Sequence, residues 1–263
     1  VDILGTIIAD KKRELQLQKQ KVPVAGLEDS PFFERETISL RERLATGFNA
    51  GIIAEFKRKS PSRGLINEKA DPVKISKGYV QAGAGGISVL TDSKYFAGSR
   101  EDLIRVREAN DCPILRKDFM IEEYQVLEAR AWGADVILLI AAVLEKARVR
   151  DLSALAHSLG LEVLLEVHEA SELDVLNDDI DMVGVNNRDL KRMLTDVNTS
   201  LVLSEKIPAG FMKISESGIS EARTILKLIE SGYEGFLIGE YFMQQEDPAG
   251  ACRKLIEGLK KWN

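Results

Sequence analysis

Residues 52–64 read Ile-Ile-Ala-Glu-Phe-Lys-Arg-Lys-Ser-Pro-Ser-Arg-Gly, and the fold turns on how they are read. The apolar start, Ile52-Ile53-Ala54, predicts a buried strand. It runs into Glu55, Phe56 and Lys57, then into a basic loop closed by Ser60-Pro61-Ser62 and Gly64. Side chains alternate along a strand, so Glu55 and Lys57 share one face. Opposite charges on a strand that begins as core are costly unless they pair with each other or perform chemistry.

From Ile52 onward the chain repeats this pattern: a short apolar strand, a polar or Gly-rich turn, an amphipathic helix. Expected strands are Ile52–Lys57, Gly86–Thr91, Ile114–Asp118, Asp135–Ile140, Glu162–Val167, Met182–Asn186, Met212–Glu216 and Gly235–Gly239. Expected helices are Pro72–Ala84, Arg100–Asn110, Glu122–Trp132, Glu145–Ser158, Glu169–Leu176, Thr199–Lys206, Ser220–Ser231 and Pro248–Lys261. Asp71 before Pro72 reads as an N-cap with proline in the first turn, and Ser220 reads as another N-cap. Gly133, Gly160 and Gly232 stand where helices should stop. Repeated strand–helix units of this kind point to an α/β fold, the (β/α)8 barrel. A doubly wound open sheet is the alternative, but no Gly-x-Gly-x-x-Gly turn follows the first strand.

The 263 residues fit one barrel domain, with about residues 1–48 as an N-terminal helical extension. In that extension Ile3, Leu4, Ile7, Ile8, Leu15 and Leu17 predict a helix ended by Pro23, and residues 38–44 a second amphipathic piece. The extension is expected to pack on one barrel end and stabilise it, with a substrate-covering role as the alternative. A hydrophobic content of 44% fits a substantial core, and a net charge of -6 argues against nucleic acid as a partner. Arg58, Lys59 and Arg63 could still supply a local basic pocket. Cys112 and Cys252 match no metal or redox spacing and read as packing residues in a reducing compartment. No run is long enough to span a membrane, and no signal peptide is evident, so the expectation is a cytoplasmic monomer.

In a barrel the functional site lies at the carboxyl ends of the strands. Here those ends carry Glu55 and Lys57, Lys117-Asp118, Glu166 and His168, Asn186-Asn187-Arg188, Glu216-Ser217-Gly218 and Gly239-Glu240. One such charge could be a structural salt bridge; a ring of them is hard to explain by solubility. Gly218 and Gly239, in the last two loops, fit the place where barrels hold a phosphate. With Lys57, Arg188 and Ser217 they favour a phosphorylated substrate over simple turn glycines. His157 reads as a helix-face residue. His168 reads as structural, with support of Glu166 as the alternative. No metal and no cofactor are expected.

Taken together, these motifs resemble the indole-3-glycerol phosphate synthase family. The matching stretches are 54–62 (Ala-Glu-Phe-Lys-Arg-Lys-Ser-Pro-Ser), 88–92 (Ser-Val-Leu-Thr-Asp) with Lys94-Tyr95-Phe96, and Lys117-Asp118-Phe119. They continue with Leu165-Glu166-Val167-His168, 185–190 (Val-Asn-Asn-Arg-Asp-Leu) and 215–219 (Ser-Glu-Ser-Gly-Ile), in the family's order. The resemblance implies a lyase of tryptophan biosynthesis. Its small phosphosugar substrate, 1-(2-carboxyphenylamino)-1-deoxyribulose 5-phosphate, is cyclised, decarboxylated and dehydrated.

By that resemblance Lys117 leads as general acid, with Glu55 positioning it; Lys57 is the other candidate for the first proton. Lys57 and Ser60 would hold the substrate carboxylate, and Glu166 would be the acid/base of dehydration. Asn186 and Glu216 would order the substrate hydroxyls. The phosphate would rest on Lys57, Arg188, Gly218 and Gly239 beside Ser217, and the ring on Phe96, Phe119 and Leu190. Members of that family commonly carry Ser where Glu240 stands here, and a carboxylate repels phosphate, so only its backbone N–H is credited. Two rival readings remain: a barrel aldolase using Lys117 as a Schiff-base nucleophile, and a non-catalytic phosphosugar binder.

Overall fold

The computed structural model describes residues 3–46, 50–189 and 194–260. Eight parallel strands close into a barrel in chain order: β1 (Ile52–Phe56), β2 (Gly86–Leu90), β3 (Ile114–Lys117), β4 (Val136–Ile140), β5 (Glu162–Val167), β6 (Met182–Asn186), β7 (Met212–Glu216) and β8 (Gly235–Ile238). Closure is made where β1 pairs on one side with β2, Ile53 opposite Gly86, and on the other with β8, Ile53 opposite Leu237. The expected strands are all present, several one residue shorter.

Alternation explains what each strand does. Ile52, Ala54 and Phe56 face outward into the layer between strands and helices. Ile53 faces inward with Leu115, Val136, Leu138, Leu164, Met182, Ile214 and Leu237, filling the barrel axis. Two residues on from these apolar positions, the same inward face becomes polar: Ile53 leads to Glu55, Leu115 to Lys117, Leu164 to Glu166, and Ile214 to Glu216. The polar ring is therefore built on a packed floor, and the period of two in each strand aims its members at one point.

The N-terminal extension does more than cover one end. Helix α1 (Ile3–Lys21) brings Ile3, Leu4 and Ile7 over the carboxyl-terminal mouth. After α2 (Val24–Glu28), α3 (Leu40–Ala45) plugs the opposite end with Leu40 and Leu44. The plug is fastened by buried or half-buried carboxylates at strand starts. Glu162 accepts from the Leu40 and Arg41 N–H groups at 2.8 and 3.1 Å, and Asp135 accepts from the Ile38 and Ile114 N–H groups, both at 2.8 Å.

The outer helices are α4 (Pro72–Ala82), α5 (Ser93–Phe96), α6 (Arg100–Ala109), α7 (Glu123–Ala131), α8 (Lys146–Ser158), α9 (Asn198–Ser204), α10 (Ala222–Glu230), α11 (Glu240–Met243) and α12 (Pro248–Lys260). Asp71 caps α4, accepting from the Lys74 N–H at 2.8 Å, and Gly133, Gly160 and Gly232 all take positive φ where a chain reverses. Two expectations need correction. The segment expected as a helix at Glu169–Leu176 is a 3₁₀ turn, Ala170–Val175, whose Glu172 carboxylate folds back onto the His168 and Glu169 N–H groups. The N-cap of α10 is Glu221 rather than Ser220. No helix among the described residues is long and apolar enough to cross a membrane.

Candidate active site

A cavity of about 600 Å³ opens at the carboxyl ends of the strands. Glu55, Lys57, Ser60, Phe96, Lys117, Phe119, Glu166, Asn186, Arg188, Glu216, Ser217, Gly218 and Gly239 all line it. Leu190, expected on the apolar wall, lies outside the described residues.

The centre is Lys117. Its Nζ lies 2.9 Å from Glu166 Oε2 and 2.7 Å from Glu216 Oε2, so one ammonium joins β3 to β5 and β7. Burial acts to lower the Lys117 pKa, but the carboxylates of Glu166, Glu216 and Glu55 outweigh it and raise it well above the ordinary lysine value. Burial also acts to raise Glu166, yet Lys117, His168 and a bond from Asn186 hold it down at about 2. Glu216 is pushed the other way. Burial and the neighbouring charge of Glu166 exceed what the shared Lys117 offers and lift it to about 7. Its Oε1 is buried with no hydrogen-bond partner among the described residues. One ammonium cannot compensate two buried carboxylates equally, so Glu166 is held down while Glu216 is pushed up.

Glu55 and Lys57 form the second pair, with Nζ 2.6 Å from Oε1 on the shared inward face. The charges on a strand that starts as core are thus compensated by each other. Glu55 was expected to position Lys117; its hydrogen bond goes to Lys57, and it reaches Lys117 only through its field.

Two glycines make room for this cluster. A Cβ on Gly184 would lie 2.3 Å from Glu216 Oε1, and a Cβ on Gly239 would lie 2.3 Å from Glu55 Oε1. Gly239, expected as a phosphate contact, has negative φ, so its absent side chain is explained by the space Glu55 fills. Gly184 was missed because glycine inside an apolar strand carries no chemical signal of its own. The Ser217-Gly218 turn is different. Both residues take positive φ, +69° and +76°, and a Cβ on Gly218 would meet Thr195 Cγ2 at 2.7 Å. Asn187 ties down this turn by donating to the Ser215 Oγ and the Ser217 carbonyl at 3.1 and 3.0 Å.

The aromatic wall is Phe96 against Phe119, with ring centroids 6.2 Å apart. Across the mouth Arg188 donates to Ser62 Oγ and Glu240 Oε2, both at 2.8 Å, and to Thr195 Oγ1 at 3.2 Å. Arg63 reaches the other Glu240 oxygen at 3.0 Å. Burial acts to raise Glu240, but Arg188 and Arg63 lower it below the usual value, so it stands as a resident anion between two guanidinium groups. Of the three basic loop residues, only Arg63 lines the cavity. Arg58 is turned away into a bidentate pair with Asp102 at 2.5 and 2.8 Å, and Lys59 donates to the Lys94 carbonyl.

Outside the cavity, His157 on α8 lies 2.9 Å from Asp181 Oδ2, and both cysteines are buried and free. Among the described residues no group of His, Cys, Asp and Glu is arranged to hold a metal ion.

The geometry can be set beside known proteins. A family model described as indole-3-glycerol phosphate synthase matches residues 4–255. The indole-3-glycerol phosphate synthase of Bacteroides thetaiotaomicron is 44% identical over 98% of this chain and 99% of its own length. That of Laribacter hongkongensis is 42% identical over 97% and 99%. Two solved structures share the fold at low identity. The 3-hexulose-6-phosphate synthase of Salmonella typhimurium has a TM-score of 0.64 at 12% identity, over 81% of this chain and all (100%) of that one. The tryptophan synthase subunit alpha of Legionella pneumophila has a TM-score of 0.60 at 14% identity, over 84% and 95%. By family match and by full-length identity, the chain belongs to the indole-3-glycerol phosphate synthase family of carboxy-lyases.

Proposed function

We propose that this chain converts 1-(2-carboxyphenylamino)-1-deoxyribulose 5-phosphate to indole-3-glycerol phosphate, with loss of carbon dioxide and water, in tryptophan biosynthesis. The observation that carries the reading is Lys117, an ammonium held 2.9 and 2.7 Å from two carboxylates beside an aromatic wall.

Ring closure joins the carboxyl-bearing aromatic carbon to the ketone carbon, and the ketone oxygen gathers negative charge. Lys117 is the acid that protonates it. The surrounding carboxylates favour its ammonium form, and Glu166 and Glu216 fix its direction. The carboxylate then leaves as carbon dioxide, returning its electron pair to the benzene ring. Dehydration removes the new hydroxyl as water and one proton from the adjacent carbon. Glu166 is the acid/base for that step, supported by Asn186. Glu216 orders the hydroxyls.

An ammonium carries three donors, so Lys57 can keep its bond to Glu55 and still bind the substrate carboxylate beside Ser60. Phe96 and Phe119 hold the ring. The phosphate is assigned to Arg188 and the Ser217-Gly218 turn, where it must compete with Glu240 for the guanidinium. A Schiff-base route is disfavoured because it needs a neutral amine, and Lys117 is held charged. Incubating the purified chain with substrate and following indole fluorescence tests the reading. Product must appear, and borohydride added during turnover must leave Lys117 unmodified; a trapped adduct or no product overturns it.

A further inference from the structure

The proposed reaction has a proton balance that does not close within the substrate. A substrate carboxylate leaves as neutral carbon dioxide. The ketone oxygen takes up two protons on its way to water, and the ring carbon gives one back. Each turnover therefore consumes one proton from outside the site.

His168 stands where such a proton could be held. It follows Glu166 by two residues, just past the end of β5, and its ring lies beside the Glu166 carboxylate. Its Nε2 lies 3.6 Å from Glu166 Oε1, the oxygen that Lys117 does not use. Its Nδ1 lies 3.7 Å from Glu172 Oε2, an oxygen fixed by the His168 N–H at 2.5 Å. Neither ring nitrogen has a closer hydrogen-bond partner among the described residues. A neutral imidazole would turn a lone pair toward one of the two carboxylates. Only the imidazolium presents N–H to both. Burial acts to lower the His168 pKa, but Glu172, Glu166 and Glu216 outweigh it and raise it above the ordinary value. The side chain is 15% exposed along its carbon edge, while both ring nitrogens are buried against the two carboxylates.

We propose that His168, clamped by Glu172, is a positioning residue that holds a transferable proton against Glu166 and replaces the proton consumed in each turnover. This rests on the reaction proposed above. Once Lys117 has given its proton to the ketone oxygen, Glu166 loses the cation that held it ionised; the His168 Nε2–H bond then breaks and an O–H bond forms on Glu166 Oε1. A cation and an anion become a neutral imidazole and a neutral carboxylic acid, ready to protonate the leaving hydroxyl. The imidazole recovers a proton from solvent between turnovers. The charged groups around the ring are Glu166 on β5, Glu172 on the following turn, Glu216 on β7, and Lys117 on β3 behind Glu166.

The test compares kcat against pH for the native chain, His168→Gln and Glu172→Gln. In the native chain kcat falls as pH rises through the raised His168 pKa. His168→Gln lowers kcat about tenfold or more, leaves KM within about twofold, and loses that limb; added imidazole restores part of the rate. Glu172→Gln keeps the low-pH plateau and moves the limb to lower pH, because one stabilising carboxylate is gone. Glu216 is also a buried group with a raised pKa, and neither substitution removes it. A limb that stays in place in both variants belongs to Glu216 and overturns the proposal, as does native kcat in His168→Gln. Should His168→Gln fail to fold, the limb in Glu172→Gln decides alone. Absence of indole product from the native chain would instead remove the underlying reaction.

Discussion

Lys11 Nζ lies 3.0 Å from Oδ1 of Asp118, the residue that follows Lys117 at the end of β3. The same ammonium reaches Asp92 Oδ2 at 2.9 Å, and Lys11 is only 1% exposed. Helix α1 is thus locked to the strand that carries the proposed acid by a buried charge, beyond the apolar contacts of Ile3, Leu4 and Ile7. The helix of this extension both lines the pocket and is anchored by ion pairs to the barrel.

Replacing Lys11 by Met leaves Asp92 and Asp118 buried without their shared cation. Loss of one partner from a buried ion pair costs about 3–5 kcal/mol. Arg116 and Thr91 still support Asp118, so the lower end is expected. Urea denaturation at pH 7 measures it, and kcat should fall with it because the seat of Lys117 loosens. Unchanged stability would mean that the buried cluster is not coupled to the fold.

The same cluster predicts a pH dependence. Burial acts to raise Asp118, but Lys11, Arg116 and the Thr91 bond hold it at about 2, against an ordinary value of 3.8. A carboxylate with a depressed folded pKa contributes stability above its unfolded pKa and loses it as pH falls through the folded one. The stability gap between the native chain and Asp118→Asn should therefore be full above about pH 4 and shrink from there toward pH 2. Denaturation curves across that range check it; a gap independent of pH contradicts it.

How much of this was legible in the sequence depended on the range of the interaction. The strands were readable because short apolar runs ended in charges, and their inward positions followed from the period of two. That alone placed Glu55, Lys117, Glu166, Asn186 and Glu216 around one mouth. Partners were less readable. Glu55 and Lys57 pair as neighbours on one strand face, which spacing allows. Lys11 with Asp92 and Asp118 depends on a helix crossing the barrel end, which no local pattern encodes. The turn at Ala170–Val175 has the composition of a helix, yet its Glu172 is committed to backbone N–H groups at its start. Gly184 and Gly239 show the same limit, since the reason for each is a carboxylate on a neighbouring strand.

Those two glycines give a third prediction. Gly184→Ala forces Glu216 to move, and Gly239→Ala forces Glu55 to move, because each Cβ would sit 2.3 Å from a carboxylate oxygen. Overpacking of this kind costs about 1–3 kcal/mol. The loss of rate should exceed what that destabilisation explains, about tenfold or more in kcat for Gly184→Ala. Native kcat in Gly184→Ala would separate Glu216 from the chemistry.

Glu240 gives a fourth. As a resident anion on Arg63 and Arg188, it competes with the phosphate assigned to the same mouth. Glu240→Ser should lower KM and the inhibition constant of inorganic phosphate by roughly twofold to fivefold, the size of a partly exposed charge pair. The native difference should narrow as salt is added. A raised KM would show instead that Glu240 holds Arg188 in its binding position.

The central claim is that the Lys117 ammonium, held by Glu166 and Glu216, delivers the proton that drives ring closure. Lys117→Met keeps the length and apolar stem of the side chain and removes the proton. Indole fluorescence under saturating substrate, with circular dichroism to establish folding, measures the outcome directly. The account predicts a folded protein whose kcat has fallen by about 10²–10⁴-fold; a folded Lys117→Met that turns over at the native rate contradicts it.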